Sequence, residues 1–191
     1  MPKVTEIRWH GRGGQGVVTA SQLVAETALQ EDKYFQAFPE YGPERMGAPI
    51  RAFTRLSSSP ISQHCQITEP DVVVVLDPTL LGTVDVTDGL KNGGVLVVNT
   101  SRSPTELRSK LNHNKARVYA VDASRIALDT VGRNIPNTPI LGALLRATGV
   151  VDKESMIHEM RKHLSARGLS PKVVEANIEA FQRGYDEVQG N

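Results

Sequence analysis

The chain has 191 residues, which is the size of one ordinary globular domain with a buried core. Hydrophobic residues make up 39% and charged residues 23%, and the net charge of +1 indicates binding neither to nucleic acid nor to an anionic membrane. The single cysteine, Cys65, excludes a disulfide within the chain and cannot alone supply the cysteine-rich ligand sets of iron–sulfur clusters or structural zinc.

The first segment reads as strand, glycine turn and helix. Branched and polar residues alternate from Val4 to Trp9, the stretch Gly11–Gly16 (GRGGQG) follows, and an amphipathic helix begins at Val17. Charges near the start of the chain stand where a secretory signal would be apolar, and no apolar run is long enough for a bilayer. We therefore expect a cytoplasmic protein that does not enter a membrane.

Two short strands, 34–38 and 50–56, enclose a segment rich in proline and glycine that must be a loop. In the second strand, Arg51, Phe53 and Arg55 share one face. The alternation predicts that this face is exposed.

The middle of the chain has two continuous runs of branched residues, 72–76 and 95–98, which suit parallel strands buried on both faces. We expect a short helix in the crossover between them. Serine and threonine followed by proline predict helix starts at Ser103-Pro104 and Thr138-Pro139.

A last strand, 117–121, a helix ending at Val131 and two charged helices, 152–167 and 170–188, complete the pattern. The alternation of strands and helices predicts a single α/β domain over residues 1–191. Its sheet should be doubly wound, mostly parallel and sandwiched by helices, with a C-terminal helical pair.

The glycine turn consists of Gly11, Arg12, Gly13, Gly14, Gln15 and Gly16. Its amides, the helix dipole and the charge of Arg12 could hold a phosphate or carboxylate. In a dinucleotide site an acid after the second strand holds the ribose, and Glu40 has a suitable position. The alternative is that the glycines serve only a tight turn and close packing.

A second group of polar residues lies in the loop, and it comprises Glu40, Tyr41, Glu44 and Arg45. Flanking prolines restrict the loop, so these side chains could form a preorganised contact surface. The alternative is a solvated loop without a specific contact. The residues give no legible catalytic set and no metal site, and Asp77 and Asn99, after buried strands, are expected to cap the next helix.

The motifs GRGGQG at Gly11–Gly16, QAFPEYGPERMGAP at 36–49, VVVVLD at 72–77 and PNTPILGA at 136–143 together resemble the gamma subunit of pyruvate:ferredoxin oxidoreductase and related 2-oxoacid:ferredoxin oxidoreductases. The resemblance covers nearly the whole chain in family order. It implies a subunit without cofactors of its own, in a complex with alpha, beta and delta subunits.

The resemblance further implies that partner subunits hold thiamine diphosphate, Mg and iron–sulfur clusters. The complex would convert a 2-oxo acid and CoA to acyl-CoA and CO₂ and pass electrons to ferredoxin. In this interpretation Gly11–Gly16 contacts CoA or neighbouring subunits, and the four polar loop residues form a subunit interface. A free-standing dinucleotide enzyme and a purely structural scaffold are the alternatives.

Overall fold

The computed structural model describes residues 4–40, 47–109, 111 and 115–190. Within these residues seven strands form one sheet in the order β2-β3-β1-β4-β5-β6-β7. The strands are β1 (Val4–Arg12), β2 (Tyr34–Pro39), β3 (Pro49–Ser57), β4 (Val72–Val75), β5 (Val95–Asn99), β6 (Arg117–Val121) and β7 (Gln189–Gly190). The helices are α1 (Val17–Gln30), α2 (Pro104–Arg108), α3 (Ala123–Val131), α4 (Asn137–Thr148), α5 (Lys153–Ala166) and α6 (Pro171–Glu187).

The centre of the sheet is parallel, because β1, β4, β5 and β6 run in one direction. The β2–β3 hairpin extends this core on one side by antiparallel pairing, and β7 pairs antiparallel with β6 on the other. The predicted doubly wound, mostly parallel α/β fold with a C-terminal helical pair is confirmed. The short strand β7, which follows that pair, was not predicted.

Helices lie on both faces of the sheet. The larger hydrophobic core joins one sheet face to α1, α3, α4, α5 and α6, and it contains Trp9, Val74 and Phe181, all fully buried. The smaller core, around Val73 and Leu96, lies on the opposite face beneath α2 and the segment after β4. Burial of both faces explains why β4 and β5 are continuous branched runs.

The short helix expected in the crossover after β4 is a 3₁₀ helix, Pro78–Gly82, which begins at a proline and ends at a glycine. Two other expectations from the sequence are corrected. Helix α4 begins at Asn137 after Pro136, so Thr138 lies inside the helix, where its hydroxyl contacts the Asn177 side chain.

The second correction concerns the face of β3 that was expected to be exposed. Phe53 and Arg55 are each only 1% exposed, since the Phe53 ring packs against Phe38 of β2, with 5.3 Å between the ring centroids, and Arg55 contacts the segment between β3 and β4. The Cys65 Sγ in that segment lies 3.8 Å from Arg55 Nη2. Only Arg51 of the three residues is exposed.

No helix in the described part of the chain combines the length and the apolar character that crossing a bilayer requires.

Helices α4 and α6 touch backbone to backbone at two glycines. A Cβ atom on Gly184 would overlap the Pro139 carbonyl group, and one on Gly142 would overlap the Phe181 carbonyl oxygen. Two helices approach this closely only where no side chain stands between them.

We expect Gly184→Ala to separate α4 from α6 and to lower the free energy of unfolding by about 1–3 kcal/mol, the range for overpacked cores. Thermal and denaturant unfolding measure the loss. Gly82→Ala is the matched control, because a Cβ there meets no atom within 4 Å. Equal stability of the two variants would contradict the described helix contact.

Candidate functional site at the carboxyl ends of β1 and β4

The chain changes direction across the sheet at β1. It leaves β1 through α1 toward β2 and β3 on one side, and then returns to β4 on the other. The carboxyl ends of the parallel neighbours β1 and β4 flank this topological switch point, where open α/β sheets bind ligands. The glycine turn Gly11–Gly16 lies at this place.

At two positions of the turn, packing within the chain is enough to explain why the residue is glycine. A Cβ on Gly11 would lie 2.5 Å from Cγ2 of Val17 and 3.3 Å from Cβ of Leu76. Gly16 has a φ of +78°, and a Cβ there would lie 2.5 Å from the Asn137 Nδ2. Tight packing of β1, α1 and α4 therefore requires glycine at both positions.

The side-chain amide of Gln15 makes two hydrogen bonds at the turn, one through its oxygen and one through its nitrogen. Its Oε1 accepts a hydrogen bond from the Arg12 backbone N–H at 2.8 Å, and its Nε2 donates to Oδ2 of Asp77 at 2.9 Å. The turn after β1 is thereby tied to the end of β4. In an anion-binding turn, the backbone N–H groups point at the ligand. Here the Arg12 N–H already donates to Gln15, so it is not available to an anion.

The Arg12 guanidinium lies beside the same carboxylate. Its Nε is 3.2 Å from Oδ2 of Asp77, and its two terminal nitrogens donate to the Gly47 carbonyl at 3.1 Å and to Oγ1 of Thr79 at 3.0 Å. The side chain keeps 31% of its surface exposed. Arg12 is therefore fixed in direction and still accessible to an anion.

Asp77 is the centre of this network. Its Oδ1 accepts from the Thr79 backbone N–H at 2.9 Å and from the Thr79 hydroxyl at 2.6 Å, which caps the 3₁₀ helix as the sequence predicted. Burial alone would raise the pKa of the Asp77 carboxyl, but the hydrogen bonds from Thr79 and Gln15 and the charge of Arg12 outweigh it and lower the pKa.

Asn99, at the end of β5, links two elements instead of capping α2, the next helix. Its Nδ2 donates to the Leu76 carbonyl at 2.8 Å, and its Oδ1 accepts from the Ser124 backbone N–H at 3.1 Å in the first turn of α3. Helix α2 instead has its own capping box, formed by Ser103 and Glu106.

Arg8 and His10 form a buried pair that the sequence analysis missed. The Arg8 Nε donates to Nε2 of His10 at 3.1 Å, and Arg8 Nη2 donates to the carbonyls of Val86 at 3.1 Å and Asp88 at 2.5 Å. Burial, together with the charges of Arg8 and Arg51, lowers the pKa of His10 to about 3. The only sequence signal was their alternation with Ile7 and Trp9 in β1.

Glu40 stands apart from the glycine turn. It follows β2, which β3 separates from β1, and its carboxylate accepts from both Nε and Nη2 of Arg51. The hydrogen bond from Arg51 is the main reason why the pKa of Glu40 is lowered. Among the predicted interface residues, Tyr41, Glu44 and Arg45 lie outside the described residues.

An open cavity of about 450 Å³ adjoins the network between the ends of β4 and β5. It is lined by Pro78, Thr79, Leu81, Thr100, Arg102 and Leu107, among others. Thr79 belongs to both the cavity and the Asp77 network. In the part of the chain that the structure describes, no group of His, Cys, Asp and Glu side chains is arranged to hold a metal ion.

Replacing Asp77 tests the network through its dependence on pH. We expect Asp77→Asn to lower the free energy of unfolding by about 1–3 kcal/mol at pH 7, because bonds to a charged acceptor are lost. A lowered folded pKa stabilises the fold above the ordinary value of 3.8 and loses that effect as the pH falls through the folded value. The difference between wild type and variant should therefore shrink below pH 4; a difference independent of pH would contradict the charged network.

The buried His10 predicts a loss of stability in mild acid, at a higher pH than the loss expected from Asp77. Since its pKa falls from 6.5 in the unfolded chain to about 3, the unfolded state takes up a proton first as the pH drops. The fold should lose roughly 2 kcal/mol between pH 7 and pH 5 through this group alone. His10→Gln keeps an acceptor for Arg8 and should flatten this slope in denaturant titrations. An unchanged slope would show that His10 is not buried as a neutral ring.

The chain is similar to known proteins over nearly its whole length. A model of the family described as pyruvate ferredoxin/flavodoxin oxidoreductase matches residues 6–187. The chain is 53% identical, over 93% of its length and 96% of the relative, to the pyruvate/ketoisovalerate oxidoreductases common subunit gamma of Thermococcus litoralis. It is 47% identical, over 98% of its length and 96% of the relative, to the pyruvate synthase subunit PorC of Thermotoga maritima.

Solved structures show the same fold. The crystal structure of pyruvate oxidoreductase subunit PORC from Thermotoga maritima matches with a TM-score of 0.86 and 45% identity, over 99% of both chains. A 2-oxoglutarate:ferredoxin oxidoreductase from Magnetococcus marinus matches with a TM-score of 0.78 and 20% identity, over 96% of this chain but 31% of the other. The latter match shows that the same fold occurs as one part of a larger polypeptide.

Proposed function

The chain belongs to the pyruvate ferredoxin/flavodoxin oxidoreductase family as a gamma subunit of a 2-oxoacid:ferredoxin oxidoreductase, and we propose that pyruvate is the 2-oxo acid its complex uses. The single observation behind the choice of substrate is that both the Thermococcus litoralis and the Thermotoga maritima relatives are named for pyruvate, the Thermococcus litoralis subunit for ketoisovalerate as well. The complex then joins the acyl group of the 2-oxo acid to CoA, releases CO₂ and passes two electrons to ferredoxin.

Within this complex the chain has the role of a helper that is inactive alone. We propose that alpha, beta and delta subunits hold thiamine diphosphate, Mg and the iron–sulfur clusters, since one cysteine cannot ligate a cluster of several thiolates. Thiamine diphosphate, where bound, supplies the chemistry of decarboxylation. This chain's residues contribute binding and orientation at the edge of the assembled site.

The switch point is the surface that we propose to lie beside CoA. Arg12 offers an accessible positive charge held in one direction by Asp77 and Thr79, and CoA is an anion with several phosphate charges. The apolar cavity next to Thr79 could receive an uncharged part of the same molecule. One observation supports the alternative that the chain is a purely structural scaffold. The Gln15 side chain accepts the hydrogen bond of the Arg12 backbone N–H, which a bound anion would otherwise accept.

Pyruvate specificity is tested by purifying the intact complex and measuring ferredoxin reduction with a panel of 2-oxo acids. We expect this chain to co-purify in equal number with a thiamine-containing subunit and pyruvate to give the highest kcat/KM. A higher kcat/KM for a branched 2-oxo acid or 2-oxoglutarate would refute the substrate choice. A lone, stable monomer in its own cells would refute the complex.

The CoA proposal is tested in the assembled enzyme with Arg12→Ala. We expect the KM for CoA to rise about tenfold or more, since a charge-assisted contact is lost, while the KM for the 2-oxo acid stays nearly constant. Asp77→Asn is the matched control, because it loosens the same network and keeps the cation. If both variants raise the KM for CoA equally, or neither does, the turn is structural.

A further inference from the structure

Strand β2 forms one of the two edges of the sheet. The Glu40 backbone N–H donates to the Arg51 carbonyl at 3.0 Å, just beyond the end of β2. Because antiparallel strands alternate their bonding residues, the even-numbered residues of β2 bond to β3 and the odd-numbered ones point outward. The outward N–H groups belong to Phe35 and Ala37, and no strand of the described chain pairs with them.

The open edge carries little of the usual protection. Edge strands of monomers commonly carry a charged residue or a proline; residues 34–39 carry no charge, and their one proline, Pro39, stands at the end of the strand. Tyr34 is 49% and Phe35 37% exposed, and Leu29, at the end of the helix that packs on β2, is 58% exposed. At the opposite edge of the sheet, β7 covers part of β6.

We propose that the β2 edge pairs with the β2 edge of a second copy of this chain. The strands would run antiparallel around a two-fold axis, with Gln36 opposite Gln36 of the second copy. Each Phe35 N–H would then donate to the Ala37 carbonyl of the other copy, and each Ala37 N–H to the Phe35 carbonyl. These bonds satisfy every outward N–H group of both strands, and one continuous sheet spans the two copies.

Side chains favour this register over the symmetric register that has Ala37 at the axis. With Gln36 at the axis, Tyr34 lies opposite Phe38 of the second copy, an aromatic pair that stabilises sheets, and Phe35 lies opposite the small Ala37. With Ala37 at the axis, Tyr34 would instead face Glu40, whose carboxylate is already bound to Arg51. Pro39, which has no N–H, falls beyond the pairing groups in the favoured register.

The pairing leaves the switch point free, since β3 lies between β2 and β1. The inference therefore does not depend on the proposed enzyme. In a multi-subunit complex it predicts that two assemblies join through their copies of this chain.

Sedimentation velocity of the full chain tests the pairing. We expect wild type to be a dimer, and both Ala37→Pro and Phe35→Lys to raise its dissociation constant about tenfold or more. Ala37→Pro removes an outward N–H and spares every bond to β3. Leu128→Lys, at an exposed apolar residue of α3, is the control and should leave the dimer intact. A monomeric wild type, or equal weakening by Leu128→Lys, would overturn the proposal.

Cross-linking in the assembled enzyme tests which chain pairs with the β2 edge and in which register. In a Cys65→Ser background, Gln36→Cys should form a disulfide between two copies under mild oxidation, because the two positions face each other across the axis. Ala37→Cys is the matched control and should not, because it lies opposite Phe35. A cross-link from Gln36→Cys to a different subunit, or no cross-link, would refute pairing between copies.

Discussion

The carboxylate of Asp77 is the point on which the geometry of the switch region depends. It accepts from Gln15 and Thr79 and lies beside Arg12, so it connects the turn after β1 to the end of β4 and starts the 3₁₀ helix. A largely buried carboxylate needs such partners to remain ionised. This set of contacts, together with the close packing at Gly11 and Gly16, fixes the position of the glycine turn and with it the start of α1.

These contacts separate the chain from a free-standing dinucleotide enzyme. Such an enzyme leaves the amides of its glycine turn open for a pyrophosphate and an acid open for a ribose. Here Gln15 takes the Arg12 N–H, and Arg51 holds Glu40 one strand away from β1. What remains accessible is the guanidinium of Arg12, which suits a contribution to a site completed by other subunits.

Local patterns made much of the fold predictable. The alternation in β1, the glycine turn, the branched runs of β4 and β5 and the Ser103 cap all depend on neighbouring residues, and the structure confirms them. Contacts between residues that are far apart in the chain could not be predicted from local patterns. Gln15 and Asp77 lie 62 positions apart, and nothing local indicated that Arg55 is buried beside Glu6 or that a buried Arg8 holds a neutral His10.

Reconstitution tests the central claim, that this chain completes an enzyme whose chemistry lies in its partners. The measurement is pyruvate- and CoA-dependent ferredoxin reduction by the other purified subunits, without this chain and during its titration. We predict little activity in its absence and a rise that saturates at equal numbers of subunits. Full activity of the other subunits without this chain would contradict the account.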